Sequence, residues 1–213
     1  MTTQTVTDSS YPVQFAVDYP DRALNRLTSA FRIVVAIPIL ILIGTVSGSS
    51  IAWSGNHAGA VSGAGGLLVA GPLLMILFRQ KYPRWWFDWN LELSRFTNRV
   101  VVYLVLMDDK YPSTDDQQAV HLDFVYPDAS RDLNRWLPLV KWLLAIPHFI
   151  VLVFLWIAAV VVVVVAWFAI LFTGRYPKGM FDYVEGVLRW GQRVIAYAVL
   201  MVTDRYPPFS LTA

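Results

Sequence analysis

Two long stretches of this chain, Ile33 to Phe78 and Trp142 to Phe172, contain no Asp, Glu, Lys or Arg. Apolar runs of this length are the pattern of segments solvated by lipid, since roughly 20 residues of helix suffice to cross a hydrocarbon core. Ahead of each stretch the pattern becomes a strict alternation: Val13, Phe15, Val17 and Tyr19 before the first, Val120, Leu122, Phe124 and Tyr126 before the second. A period of two predicts a half-buried strand. An isolated strand is not stable, so the two are expected to pair with each other, or with a partner, at the membrane surface. After each stretch, charges return at helical spacing. Asp88, Glu92, Arg95 and Arg99 form one stripe and Asp182, Glu185, Arg189 and Arg193 another, beside a broad apolar face. Such helices suit the membrane interface.

The same succession occurs twice because the residues themselves recur. Leu24-Asn25-Arg26 and Ala36-Ile37-Pro38 return as Leu133-Asn134-Arg135 and Ala145-Ile146-Pro147, a spacing of 109. Tyr19-Pro20-Asp21 returns as Tyr126-Pro127-Asp128 after a two-residue slip. Beyond the apolar stretches, Tyr82-Pro83, Phe87-Asp88, Arg95, Arg99, Tyr103 and Leu106-Met107 recur 94 residues on. This order of matches reads as a tandem duplication. The predicted organisation is a disordered tail over 1–10, a first copy over 11–112, a linker over 113–119 and a second copy over 120–208. The predicted fold class is an all-α integral membrane protein, each copy comprising a short strand, a transmembrane helical hairpin and an interfacial amphipathic helix.

The first apolar stretch breaks naturally into helix, loop, helix, because Gly44 to Gly66 is rich in Gly and Ser and holds Asn56 and His57. Spans are predicted near Phe31–Trp53 and Gly63–Phe78. The second stretch, with no Gly, Pro or polar turn residue after His148, would make one helix of about 46 Å against a core of about 30 Å. Two observations favour a hairpin there as well, turning near Leu155–Ala159. The spacing between copies falls by 15 residues, about the size of the first copy's loop. The basic residues on both sides, Arg131, Arg135 and Lys141 before and Arg175, Lys178, Arg189 and Arg193 after, should also share the cytoplasmic side. Four spans with both termini cytoplasmic are expected; three spans are the alternative.

Composition agrees with a membrane protein. Hydrophobic residues make up 56% of the 213 and charged residues 15%, where soluble proteins carry about 25% charged. The net charge of +2 gives no nucleic-acid surface. The absence of cysteine removes disulfides, thiolate metal sites and a Cys nucleophile together. The polar N-terminus, without basic residues, does not read as a cleaved signal peptide.

Few residues offer chemistry. His148 follows Pro147 inside an apolar stretch, where a titratable group is by default a functional candidate, but Ile39 stands at the matching place in the first copy. His57 and His121 share no metal-ligand spacing with it. The charged stripes are explained by intrahelical pairing, and Trp85, Trp86, Trp89 and Trp190 suit the headgroup depth. Tyr-Pro occurs seven times, at Tyr11, Tyr19, Tyr82, Tyr111, Tyr126, Tyr176 and Tyr206, and reads as punctuation between elements, with the phenol as an interfacial anchor. Pro38 and Pro147 are expected to kink their helices. The glycine spacings Gly44/Gly48 and Gly55/Gly59/Gly63 are a weak helix-packing signal. No phosphate loop, hydrolase elbow or zinc motif is present.

The run from Trp136 to His148, then Phe172-Thr173-Gly174-Arg175-Tyr176-Pro177 and Thr203-Asp204-Arg205-Tyr206-Pro207-Pro208-Phe209, resembles a bacterial membrane-protein family known only as a domain of unknown function. The resemblance covers nearly the whole chain, the second copy more clearly. It implies a multi-pass protein of the bacterial inner membrane and carries no catalytic residues. The Pro-His pair belongs to the pattern in the second copy alone, which counts against a symmetric two-histidine site. The expected function is that of a non-enzymatic accessory or scaffold subunit of a larger membrane complex, with no cofactor and no metal. Its partners would be membrane lipids and other membrane proteins or a second copy, not nucleic acid. Arg95, Arg99, Arg189, Arg193, Trp85, Trp86, Trp89, Trp190 and His148 are the candidate lipid or partner contacts. A lipid- or hydrophobe-binding transport module using the cleft between two hairpins is the second reading, and a membrane enzyme with His148 as base the third.

Overall fold

The structure is a computed structural model describing residues 11–46, 64–114, 116 and 118–212. The N-terminal tail, Asn56, His57 and most of the Gly44–Gly66 connection fall outside the described residues.

The alternating segments are strands β1 (Val13–Val17) and β2 (Val120–Phe124), paired antiparallel with Phe15 opposite Leu122. Each buries its odd- or even-numbered apolar set and exposes the residues between: Val13, Phe15 and Val17 point in, as do Val120, Leu122 and Phe124. Among the described residues seven helices accompany them: α1 (Arg26–Ala30), α2 (Arg32–Val46), α3 (Ala64–Arg79), α4 (Arg84–Leu104), α5 (Pro138–Leu144), α6 (Ile146–Thr173) and α7 (Lys178–Ala198). Asn25 caps α1, its side-chain oxygen accepting from the amides of Leu27 and Thr28. Pro83 and Pro177 precede α4 and α7 in extended conformation. Gly174, at φ 74°, closes α6 in the left-handed region, as Gln80, at φ 47°, follows α3.

β1 packs on α7 and β2 on α4, so each strand lies on a helix from the other half of the chain. The principal core joins these elements through Phe15, Leu122, Val102, Phe181, Val184 and Leu188. Further along α7, Trp190, Val194 and Tyr197 meet Leu152 and Ala145, and the Tyr183 hydroxyl donates to Leu155 O at 3.1 Å, so α6 and α7 run antiparallel along one another. On the first half, Ala36 and Ile39 of α2 meet Phe96, Val100 and Tyr103 of α4 in the same manner.

The second apolar stretch is not a hairpin. α6 is one helix of 28 residues, about 42 Å long, and passes through Leu155–Ala159 without a turn. Its sequence explains why. A reversal at that point would strand about four carbonyls at one new helix end and about four amides at the other in apolar surroundings, at several kcal/mol per group. Leu155-Trp156-Ile157-Ala158-Ala159 offers no side chain to bond them. Nor do α2 and α3 pack as a hairpin, since they make no contact among the described residues: α2 rests on α4 and α3 on α5. α6 is the one helix among the described residues long and apolar enough to cross a membrane, with a mean hydropathy of 3.4. Pro38 lies inside α2 without ending it, while Pro147 lies in the first turn of α6, just past the break from α5 at Ala145.

An aromatic knot lies beneath the sheet. Phe181 is 1% exposed and meets Tyr19 and Tyr176 edge-on at ring distances of 5.0 and 5.7 Å. Phe181→Ala is expected to cost about 3–5 kcal/mol, read as a lowered midpoint in denaturant unfolding of the detergent-solubilised protein.

Candidate functional site

The basic residues of the charged stripes turn inward, while Asp88, Glu92 and Asp182 stay exposed. Arg95 donates from Nε to Leu122 O of β2 at 2.9 Å, pairs with Asp123 on the same strand and holds Glu92 at 2.6 Å on its own helix. Arg189 does the same on the other half: Nε donates to Phe15 O of β1 at 2.8 Å, one terminal nitrogen to Leu211 O at 3.1 Å, and the other pairs with Glu185. The Glu185 carboxylate in turn accepts from the Val17 amide at 3.3 Å. A planar fork of donors bridging a helix to a strand carbonyl is a use of arginine that lysine could not copy.

Arg99 and Arg193, one turn further on, are 6% and 3% exposed. Arg99 donates to Ser113 O and Thr114 O at 3.0 and 3.1 Å, and Arg193 to Ser210 O and Thr212 O at 3.3 and 2.9 Å. Each clasps a passing segment through its terminal nitrogens. Burial, and then the neighbouring Arg189 charge, lower the proton affinity of Arg193, with the Tyr11 phenol acting in the opposite direction.

Two buried cations lie at the edges of the core. Arg32 donates to Tyr103 O at 2.7 Å and to Asp108 O, with its guanidinium 4.1 Å from the Tyr103 ring. Lys141, wholly buried, donates to Thr203 O at 2.8 Å, lies 2.6 Å from Asp204 and sits 5.2 Å from the Tyr197 ring. Beside them, Asp109 accepts the Asn25 amide at 3.1 Å and Asp204 accepts the Asn134 amide at 2.5 Å. Burial alone would raise the Asp109 carboxyl, but bonds from Arg22 and the Asn25 amide outweigh it and hold the group below the usual carboxylate range.

His148 is fully buried in an aromatic cage. Its Nδ1 accepts from Trp190 Nε1 at 3.1 Å, and the ring stacks on Phe209 at 4.0 Å and leans on Tyr206 at 4.8 Å. That bond assigns the neutral tautomer with hydrogen on Nε2, which has no partner among the described residues. With Nδ1 occupied and Nε2 protonated, the imidazole has no free lone pair with which to abstract a proton. Among the described residues, neither ring nitrogen bonds a backbone carbonyl. Trp190, expected at headgroup depth, is buried as part of this cage, while Trp85 and Trp89 are exposed and Trp86 is partly buried against Trp85.

Sequence reasoning missed the use made of the Tyr-Pro pairs. The hydroxyls of Tyr11, Tyr19, Tyr82, Tyr126 and Tyr206 donate to the carbonyls of Arg205, Tyr176, Leu200, Tyr82 and Leu144. Tyr19 reaches the Tyr-Pro tyrosine of the second half and Tyr126 that of the first, so these phenols tie the halves together. The constant spacing was the available signal, since a boundary mark needs no particular side chain beside its proline.

Asp109 yields a pH prediction. A carboxyl held below its ordinary value adds stability at pH above that ordinary value, about 3.9, and the gain is lost as pH falls through the lowered one. Asp109→Asn should therefore be less stable than the parent at pH 7, and the difference should shrink as pH falls below about 4, measured as unfolding midpoints across a pH series.

No curated protein matches this chain, and no solved structure matches it. One family model does, described as a domain of unknown function (DUF4389), over residues 136–210. That segment runs from Trp136 through α5, α6 and α7 to Ser210, roughly a third of the chain. It contains Lys141, His148, Arg189 and Arg193, and to that extent the second half of this chain is similar to a family defined by its sequence alone.

Proposed function

We propose that this chain is a membrane-seated, non-enzymatic scaffold that works through contacts, with α6 laid along the membrane surface rather than across it. The observation that carries this reading is the disposition of α6 about α7. At roughly 100° per residue, Glu185, Arg189 and Arg193 turn toward the sheet, while Tyr183, Trp190, Val194 and Tyr197 lie on a separate face against α6. The rest of α6 is bare: Val153, Phe154, Ile157, Val160, Val161, Val164, Phe168 and Phe172 are all exposed, Phe154 at 68%. Exposed Ile33, Val34, Ile37 and Ile41 of α2 and Trp142 and Leu143 of α5 extend the apolar surface. A contiguous patch of this extent is not stable in water and marks a membrane or protein contact.

Placing α6 across the bilayer would carry the body packed along its length to the same depth. Exposed Asp18, Asp123, Asp88, Glu92 and Asp182 would then face lipid, at about 2.5–3.5 kcal/mol for each acid near the midplane. Laying α6 flat keeps those groups in water and sinks only the apolar face. In this arrangement the arginine-bearing flanks share one side of the membrane, as the four-span topology also required, without a second crossing.

The same features support an origin by tandem duplication. Arg95 and Arg189 each reach a strand carbonyl, Arg32 and Lys141 each lie over a tyrosine 94 residues apart, and Asn98 meets its counterpart Gln192 at 2.9 Å. The scaffold role is supported by the engagement of these side chains in structure: Arg95 and Arg189 bridge to strand carbonyls, Arg99 and Arg193 to the segments passing them, and the imidazole accepts from an indole. The lipid-transport reading loses its cleft, because neither half forms a packed hairpin among the described residues.

With no native cysteine, single substitutions at Arg131 and Arg175, on either side of α5–α6, give clean labelling sites. Membrane-impermeant maleimide is expected to label both from the same side of oriented vesicles. Labelling from opposite sides would overturn the flat arrangement, and a monomer showing intrinsic turnover would overturn the scaffold role.

A further inference from the structure

The outer face of β1 borders a cavity of about 960 Å³ that the contacts described above leave unused. Its walls include Arg189, Arg193 and Arg205, with Tyr11, Ala16 and the Ser210–Thr212 strap beside them. Three guanidiniums converge on one space. The charged groups of opposite sign nearby are already committed. Asp123, which also lines the cavity, is paired with Arg95, Glu185 is shared between Arg189 and the Val17 amide, and His121, also on the wall, is held by Asp18 at 2.9 Å. Arg205 makes no hydrogen bond or ion pair through its guanidinium among the described residues, and Arg193 Nε is buried without a partner.

The other half of the chain shows what is missing. At the spacing of 107 that relates Tyr19 to Tyr126, Ala16 of β1 stands where β2 has Asp123. On that half the strand carboxylate neutralises Arg95 directly. On this half the strand offers a methyl group, and the volume that a carboxylate would fill is part of the cavity. Buried Arg193 and exposed Arg205 have no carboxylate partner, Glu185 being paired with Arg189, and two unneutralised guanidiniums beside a position without a carboxylate suit an anion. Guanidinium forks match the tetrahedral oxygens of a phosphate with paired, charge-assisted bonds.

We propose that this cavity binds a phosphate group, as a free phosphate ester or as a phospholipid headgroup, with Arg189, Arg193 and Arg205 as its ligands and Ala16 leaving the space for it. The site does not depend on how α6 meets the membrane. It is tested on the full-length protein in neutral detergent by isothermal titration, once with inorganic phosphate and once with mixed micelles of phosphatidylglycerol, phosphatidylcholine micelles serving as the reference. One site per chain is expected. Saturation by inorganic phosphate identifies a soluble ligand, and saturation by phosphatidylglycerol alone a lipid headgroup. Ala16→Asp, which restores the absent carboxylate at an exposed position, should weaken binding at least about tenfold, equivalent to about 1.4 kcal/mol. Arg205→Gln, at a side chain with no structural bond, should weaken it about fivefold or more. Arg175→Gln, remote from the cavity, should leave it unchanged. No saturable binding of either probe, or binding that both Ala16→Asp and Arg205→Gln leave within about twofold, overturns the proposal.

Discussion

A strand edge that has only one neighbour must find other donors for its carbonyls, and in this protein arginine supplies them. Phe15 O and Leu122 O accept from Arg189 and Arg95. Those two bonds orient everything beneath. They fix which face of α4 and α7 turns to the sheet, and so which face is left for α2 and α6. They also bring charged groups under cover, where an unpaired guanidinium would be costly, which is why Glu92 and Glu185 stand one turn earlier on the same helices. The acid–base ladder is more than a helix stabiliser worth a few tenths of a kcal/mol per pair. It neutralises the arms that reach across to the strands.

Because β1 lies on α7 and β2 on α4, the halves are interlocked rather than merely adjacent. Tyr19 and Tyr126 repeat the crossing with hydroxyl bonds to Tyr176 O and Tyr82 O. Removing either half would uncover a strand, a helix face, one tyrosine hydroxyl and one tyrosine carbonyl at once. A two-stranded sheet is marginal in isolation, and here its stability comes from helices at opposite ends of the sequence. Contacts of such long range make cooperative folding of the whole chain the natural outcome.

The strands were legible because alternation of Val, Phe and Leu admits few other readings, and the apolar stretches because no charge interrupts them. The partners of the stripe arginines were not. Spacing on a helix gives the face a residue occupies and leaves open what that face meets, so Arg95 and Arg189 read as interfacial when their true neighbours are carbonyls more than twenty residues away in sequence. The pairing of Trp190 with His148 was no more legible: taken singly, neither side chain names its partner, and the fold shows the indole N–H donating to His148 Nδ1.

The error over α6 has a more specific cause. The fall in spacing from 109 to 94 residues between matching positions reads in the sequence as a shortened turn. In a helix–loop–helix, deletion of the loop itself leaves two helical ends in register to fuse, and fusion satisfies every backbone group along the join, whereas a tight apolar turn satisfies almost none. The first half keeps its helical parts as α2 and α3, resting on separate neighbours, and the second carries one unbroken rod. A single rod anchored at both ends to one body has its direction set by that body. The Leu24 amide bonds Gly174 O at one end of α6, and Trp190 and Tyr197 of α7 pack on Ala145 and Leu152 at the other. Hydropathy gives the length of membrane that α6 could cross; these end contacts give the direction in which it lies.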